Sequence, residues 1–91
     1  MAETVTPEGR LDVTAVKGFH AQMLARAQDD LTLDLGKVTQ MGALCLQVCI
    51  AAARHARAEN RSFRIINASD AVLGQISAMG FSPETLAEGA V

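Results

Sequence analysis

The sequence predicts an α/β domain with a central mixed sheet of about four strands and helices packed mainly on one face. Two kinds of segment alternate along the chain. In one kind apolar and polar residues alternate, most clearly at residues 31–35, and in the other apolar residues recur every three or four positions. Such an order is typical of strands joined by right-handed helical crossovers. With 91 residues, the chain is expected to form a single domain over residues 1–91.

Composition excludes several classes of function. Eight Lys and Arg residues against ten Asp and Glu residues give a net charge of −2, and only three side chains are aromatic, so nucleic acid is a poor partner. The longest apolar run, residues 48–53, is far shorter than the roughly 20 residues that a membrane span needs. The N-terminal residues lack the basic and apolar regions of a secretory signal, which predicts a cytoplasmic location.

The first third of the chain predicts a strand and then a helix. Residues 4–6 favour a short strand, residues 7–9 a turn, and either Asp12 or Thr14 can cap the following helix. The expected stripe of that helix consists of Val16, Phe19, His20, Met23, Leu24 and Ala27. His20, at the edge of the stripe, is interpreted as a partly buried packing residue, because no neighbouring group would make it a base.

The middle of the chain predicts a strand over residues 31–35, a loop over residues 36–41 and a long helix that begins at Gly42. The core face of this helix is expected to consist of Cys45, Val48, Cys49, Ala52 and Ala56. The opposite, solvent-facing side is expected to consist of Ala43, Gln47, Ile50, Arg54 and Arg57. The two cysteines lack further ligands at metal-site spacing, so we interpret them as buried structural thiols and expect no metal.

The last third predicts a strand over residues 62–66 and a helix capped by Ser69 and closed by Gly80. The tail after residue 82 favours one more short strand or helical turn. The residues expected in the core of the whole domain are Leu33, Leu35, Val48, Cys49, Ala52, Phe63, Ile65, Leu73 and Ile76.

No cofactor is expected from the glycine pattern. Gly36 and Gly42 fit neither the phosphate-binding loop of nucleoside triphosphatases nor the dinucleotide fingerprint, so nucleotide hydrolysis is disfavoured. The helix N-terminus at residues 42–45 would be the natural place for chemistry, but it carries no hydroxyl, carboxylate or base. The helix start therefore offers no candidate catalytic group.

Several short motifs, in order, resemble the STAS domain family of bacterial anti-sigma factor antagonists and of the cytoplasmic ends of sulphate transporters. They are the turn at residues 9–12, the strand end at residues 34–38, the helix pattern at residues 46–56, the helix start at residues 69–72 and the glycine–aromatic pair at residues 80–81. No single motif is specific, but their order covers nearly the whole chain. The resemblance implies a non-catalytic binding module, a signalling adaptor that acts on a protein partner and is not an enzyme.

The resemblance also implies a lost switch. Family members usually carry a phosphoacceptor Ser or Thr in the loop that opens the long helix, and the matching position here is Ala43, which has no nucleophilic oxygen. Thr39 is the one nearby hydroxyl that could substitute. The expected partner is a histidine-kinase-like regulator in a chemotaxis or anti-sigma complex. The expected contact residues are Gly42, Ala43, Leu44, Gln47, Ile50, Arg54 and Arg57.

Two alternatives remain open. The chain also resembles the small STAS subunit of a lipid-transport ABC complex. An enzyme that uses Cys45 as a nucleophile is the alternative of another class, because a helix N-terminus can lower a thiol pKa. That alternative is disfavoured, since the sequence places neither a base nor an orienting group near Cys45.

Overall fold

The computed structural model describes residues 3–26 and 28–89. Within them, short strands and helices follow one another along the chain. The elements are β1 (Glu3–Val5), β2 (Gly9–Leu11), α1 (Val16–Ala25), β3 (Leu31–Asp34), β4 (Val38–Met41), α2 (Ala43–Ala58), β5 (Phe63–Ile66), α3 (Asp70–Ala78) and α4 (Pro83–Ala87).

The strands form two parallel ladders in the described part of the chain. One has the order β1-β3-β5 and the other pairs β2 with β4. The predicted α/β class is confirmed. The predicted single mixed sheet of about four strands differs from the structure, which has five strands there with only parallel pairings, as expected where helices connect the strands.

The expected loop over residues 36–41 is wrong, because residues 38–41 form β4. Val38 and Met41 are 2% and 3% exposed. The strand pairs with β2 on one side, and the Met41 N–H donates to the Gln75 side chain of α3 at 2.6 Å on the other. A four-residue strand whose partners lie 30 residues away leaves little local signal, which explains why the sequence pattern missed it.

The three-stranded ladder has one apolar and one polar face. Side chains in register on the covered face are Val5, Leu33 and Ile65. Side chains in register on the other face are Thr4, Thr32 and Arg64, which are exposed or half-buried. Because strand residues alternate between faces, this pattern agrees with helices covering mainly one side of the sheet.

The predicted core is largely confirmed. Five of its members are buried: Leu33, Leu35, Cys49, Phe63 and Ile76. Val48, Ala52 and Ile65 are half-buried and pack against that cluster. Leu73 was placed wrongly, since it is 37% exposed. The reason is that α3 faces the core through the single stripe of Val72 and Ile76, four positions apart.

Helix α1 buries a narrower stripe than predicted. Phe19 and Met23 are buried, whereas Leu24 is 60% exposed and His20 is exposed rather than partly buried. The prediction for Ala27 lies outside the described residues. Both misplaced residues adjoin the buried pair, and a helix that packs mainly on one neighbour, here α2, covers little beyond an i, i+4 stripe.

The helix ends match the sequence signals unevenly. Ser69 caps α3 as predicted, accepting a hydrogen bond from the Val72 N–H at 3.3 Å. Gly80 closes that helix with φ +90°, and the Phe81 N–H donates to the Ile76 carbonyl at 3.0 Å, as in a Schellman motif. Neither Asp12 nor Thr14 caps α1.

The residue at the cap position of α1 is Ala15, which offers no side-chain cap. The Asp12 carboxylate instead accepts hydrogen bonds from the backbone N–H and the hydroxyl of Thr14, at 3.0 and 2.6 Å, and so stabilises the turn before the helix. The predicted tail element is helical. In α4, Ser82 and Thr85 form a capping box.

Candidate functional site

The candidate site is the junction where β4 passes into α2. Gly42 is the N-cap residue, and its N–H donates to the Leu11 carbonyl of β2 at 2.9 Å. A Cβ added at Gly42 would lie 2.9 Å from that same carbonyl oxygen. Glycine is therefore required here by the close approach of the β2 backbone, and the helix begins without a side-chain cap.

The first turn of α2 presents an apolar surface to solvent. Ala43 and Gln47 are exposed, and Leu44 is 52% exposed. Val13, 68% exposed, follows Asp12, whose carbonyl oxygen lies 3.9 Å from the Cys45 Sγ. The structure thus brings Gly42, Ala43, Leu44 and Gln47 together on one accessible turn, which we call the N-terminal surface of α2.

The N-terminal surface lacks the groups that phosphoryl transfer to a side chain would need. Residues 42–45 contain no hydroxyl. The carboxylate of Asp12, in the neighbouring turn, is held by Thr14, and the hydrogen bond from the Thr14 hydroxyl lowers the pKa of Asp12 against a smaller opposing effect of burial. Thr39 is exposed but lies on β4, not on the turn that opens the helix.

Both cysteines are buried, and the pKa of each thiol is raised, which disfavours the thiolate form. Cys45 is 0% exposed, and burial, with a smaller effect of the Asp12 charge, raises the pKa of its thiol. Burial, with a smaller effect of Cys45, raises the pKa of the Cys49 thiol to about 12. Since the thiolate is the nucleophile and the helix N-terminus does not lower these pKa values, the thiol-enzyme alternative loses its chemical basis.

Ile50 was expected on the solvent-facing side of the helix, among the partner-contact residues, and this placement is wrong because only 7% of the side chain is exposed. Helix α2 contacts α1 on one side and α4 and β5 on the other, so it buries a wide face. The buried residues of that face are Cys45, Leu46, Cys49, Ile50, Ala53 and Ala56. The predicted division into two opposite faces was too narrow for a helix with three packing neighbours.

Arg54 and Arg57 have partners within the chain. The Arg54 Nε–H donates to the Gly89 carbonyl at 3.1 Å, and the Arg57 guanidinium donates to the Glu88 carbonyl at 2.9 Å. Gly89 has φ +91°, and a Cβ there would lie 2.9 Å from the Arg54 Cγ. The two arginines thus hold the segment after α4 against the C-terminal half of α2, far along the helix from the N-terminal surface.

Sequence reasoning missed two residues that shape this region. No role was assigned to Val13 from the sequence, and it adds an exposed apolar side chain beside the helix start. Gln75 fixes the end of β4 through its side-chain oxygen. Its position between Val72 and Ile76, on the buried side of α3, is a signal that could have identified a polar residue with a structural hydrogen bond.

Within residues 3–26 and 28–89, no helix combines the length and hydrophobicity needed to cross a membrane, and no cluster of three metal-binding side chains occurs. In a comparison with protein families, residues 2–86 match the family described as "Mlab, STAS domain". A comparison with curated proteins finds no match.

Proposed function

Because the chain belongs to the STAS domain family, whose members are generally non-catalytic modules that bind protein partners, we propose that it is a signalling adaptor that docks a partner through the N-terminal surface of α2. The observation that carries this proposal is the half-exposed Leu44 beside Ala43 on the first turn. A large aliphatic side chain in such a position gives a partner an anchor, and the small Ala43 allows its backbone to come close.

The energy that this surface can supply is modest. Burying a whole leucine side chain is worth about 1.5–3 kcal/mol, so covering the exposed half of Leu44 contributes roughly 1 kcal/mol. Gln47 would form the polar rim, and Val13 would widen the apolar contact. Ile50 is buried and has no part in the proposed contact. Arg54 and Arg57, which were expected among the contact residues, instead donate hydrogen bonds to the backbone carbonyls of residues 89 and 88.

We further propose that docking at this surface is constitutive. The position that matches the family's phosphoacceptor is Ala43, and neither Gly42 nor Leu44 supplies a hydroxyl. A phosphate group would add up to two negative charges and disrupt an apolar contact, and this member has no means of placing one there. Regulation would then depend on the amount of the partner or on changes in the partner.

The proposed partner is a histidine-kinase-like regulator of a bacterial chemotaxis or anti-sigma complex, in the cytoplasm. This finer assignment rests on the sequence resemblance described above. The lipid-transport ABC complex is the other setting that the resemblance allows. The two settings predict different proteins that would co-purify with the chain.

Co-purification of tagged chain from its native host, followed by mass spectrometry, tests the proposal. Leu44→Asp is compared with Leu73→Asp, a matched change at an exposed leucine on α3. Both variants should keep the wild-type circular dichroism spectrum. We expect a kinase or regulator with the wild type and with Leu73→Asp, and its loss with Leu44→Asp.

Three outcomes contradict the proposal at different levels. Equal recovery with Leu44→Asp would show that the docking surface lies elsewhere on the domain. Recovery of transporter ATPase components in the membrane fraction would replace the signalling setting with the transport setting. Recovery of no regulator, kinase or transporter component would remove the adaptor function itself.

A further inference from the structure

Strand β5 forms one edge of the three-stranded ladder and leaves backbone groups unpaired. The Ser62 and Ile66 carbonyls accept hydrogen bonds from the N–H groups of β3, at 3.0 and 2.9 Å. Successive residues of a strand direct their N–H and C=O groups to opposite sides, so those of Phe63 and Ile65 face away from β3. In the described part of the chain, no other strand and no other segment pairs with these four groups.

A groove of about 260 Å³ runs along this free edge. One wall is the whole of β5, and the other is α4, through Pro83, Glu84 and Ala87. The groove follows four strand residues, or about 13 Å of extended chain. Helix α4 packs against both α2 and β5 and buries Leu86, which fixes the second wall to the core. The fold therefore holds a channel open beside unpaired backbone groups.

The opposite edge of the ladder offers less. In β1 the Glu3 N–H donates to the Asp30 carbonyl at 2.8 Å, so Glu3 and Val5 face β3 and only Thr4 directs its backbone groups outward. An added strand would gain two N–H and two C=O partners at β5 but one of each at β1. Of the two edges, β5 is the better template for a further strand.

The unpaired groups of β5 specify an extended chain, and Arg64 specifies its charge. A neighbouring strand supplies the complementary N–H and C=O groups, which a helix does not. The Arg64 side chain is exposed on the polar face of the ladder, in register with Thr32, and among the described residues it has no partner. Glu84 lines the other wall without forming an ion pair with Arg64. An acidic residue of the added strand beside Arg64 would form a favourable cross-strand pair.

A second copy of this chain is a poor occupant of the same edge. A symmetric dimer pairs the two β5 strands antiparallel. The register that uses all the outward groups places Phe63 of each copy opposite Ile65 of the other, and hence Arg64 opposite Arg64. Like charges directly opposite each other destabilise a strand pair. The edge therefore favours a different chain.

We propose that the edge of β5 binds an extended acidic segment of a protein partner, which adds to the β1-β3-β5 ladder as a fourth strand. Alternate residues of that segment would face Pro83 and Ala87 and should be apolar, whereas the residues between them lie on the side of Arg64 and should include Asp or Glu. Main-chain hydrogen bonds supply the affinity, and the alternate side chains supply the specificity. This surface does not depend on Leu44 or on the identity of the partner proposed above.

A displayed library of eight-residue peptides, selected on the full chain, supplies the probe. The mapping variant is Arg64→Glu, which reverses an exposed charge and keeps the backbone pairing with β3. The matched control is Lys17→Glu, the same reversal at an exposed position in the first turn of α1, where an acid is favourable. We expect the selected peptides to alternate apolar and acidic residues. Their affinity should fall at least about fivefold for Arg64→Glu and stay unchanged for Lys17→Glu and Leu44→Asp.

Two measurements distinguish strand addition from a contact between side chains alone. N-methylation of alternate peptide amides removes the donors on one edge of the extended peptide at a time. One set should weaken binding at least about tenfold, and the other should leave it nearly unchanged. Amide hydrogen exchange followed by NMR should slow at Phe63 and Ile65 when peptide binds, whereas Arg64 and Ile66, whose N–H groups face β3, should exchange slowly already in the free chain.

The proposal is overturned if no peptide is selected, if the selected peptides lack acidic residues, or if they bind Arg64→Glu as tightly as the wild type. It is also overturned if both sets of N-methyl groups act equally or if exchange at Phe63 and Ile65 does not change. A dimer in sedimentation that protects the same two amides would assign the edge to a second copy of this chain instead. Loss of peptide binding with Leu44→Asp would merge this edge with the N-terminal surface and so also overturn the claim of a separate site.

Discussion

Replacing Ile50 by Ala should destabilise the domain far more than replacing Leu44 by Ala. Both changes remove three carbon atoms from a side chain on α2. Ile50 is 7% exposed and belongs to the core cluster, whereas Leu44 is 52% exposed. Comparing the two variants therefore isolates the effect of burial on stability, because nearly the same atoms are removed from the same helix.

The magnitude follows from the burial of each side chain. Three buried carbon groups at about 0.8 kcal/mol each give roughly 2.4 kcal/mol for Ile50, and the cavity adds to this. Alanine's better helix propensity returns a few tenths of a kcal/mol, so about 2–4 kcal/mol is lost in total. For Leu44 only about half of the transfer term applies and no cavity forms, which gives roughly 1 kcal/mol or less.

Urea unfolding followed by circular dichroism at 222 nm measures both losses, because the chain has no Trp or Tyr for fluorescence. With an m value of roughly 1.5 kcal/mol per molar urea, the midpoint should fall by about 1.3–2.7 M for Ile50→Ala and by under about 0.7 M for Leu44→Ala. Equal shifts for the two variants would refute the burial assignment of α2. An unchanged midpoint for Ile50→Ala would show that the Ile50 side chain is not buried.

Three further predictions concern single groups. Gly42→Ser should lower the urea midpoint of unfolding, because the serine Cβ would lie 2.9 Å from the Leu11 carbonyl oxygen. An unchanged midpoint would show that β2 can move away from this position. Gly74→Ala, at an open helical position, should raise the free energy of unfolding by up to about 1 kcal/mol. Gly80→Ala should lower the free energy of unfolding, because φ is +90° there, and urea titrations should therefore show changes of opposite sign for the two variants. Because the folded-state pKa of Cys49 is raised to about 12, the unfolded chain loses this proton first, so stability should fall between pH 9 and 12 by up to about 1.4 kcal/mol per pH unit. Cys49→Ala should show a shallower fall in the same pH titration, and an identical slope would mean that other groups govern that range.

Local chemistry in the sequence was enough to predict the α/β class and much of the core. The alternation at residues 31–35 predicts β3 because a period of two places Leu31 and Leu33 on one face of a sheet. Ser69 and Gly80 mark the ends of α3 because a side-chain cap and a positive φ are properties of single residues. The absence of a hydroxyl at residues 42–45 is likewise a fact of the sequence alone.

Tertiary packing decided the features that the sequence analysis predicted wrongly. Residues 38–41 form β4 because β2 and Gln75 pair with it from distant parts of the chain. Ile50 is buried because α2 packs against elements on both sides, and no periodic pattern within one helix reveals how many neighbours it has.

The sequence by itself therefore predicted the three strands of the β1-β3-β5 ladder and helices α1, α2 and α3. It also determined that the start of α2 has no acceptor oxygen for phosphate. Only the tertiary structure decided which sides of those elements face solvent. The tertiary structure also places Arg54 against the carbonyl of Gly89 and Arg57 against the carbonyl of Glu88. It leaves an open groove between α1 and α2, beside Leu24 and Ala51. The reason is physical: caps and hydrophobic periods depend on residues within one or two turns, whereas exposure depends on contacts between segments that lie tens of residues apart.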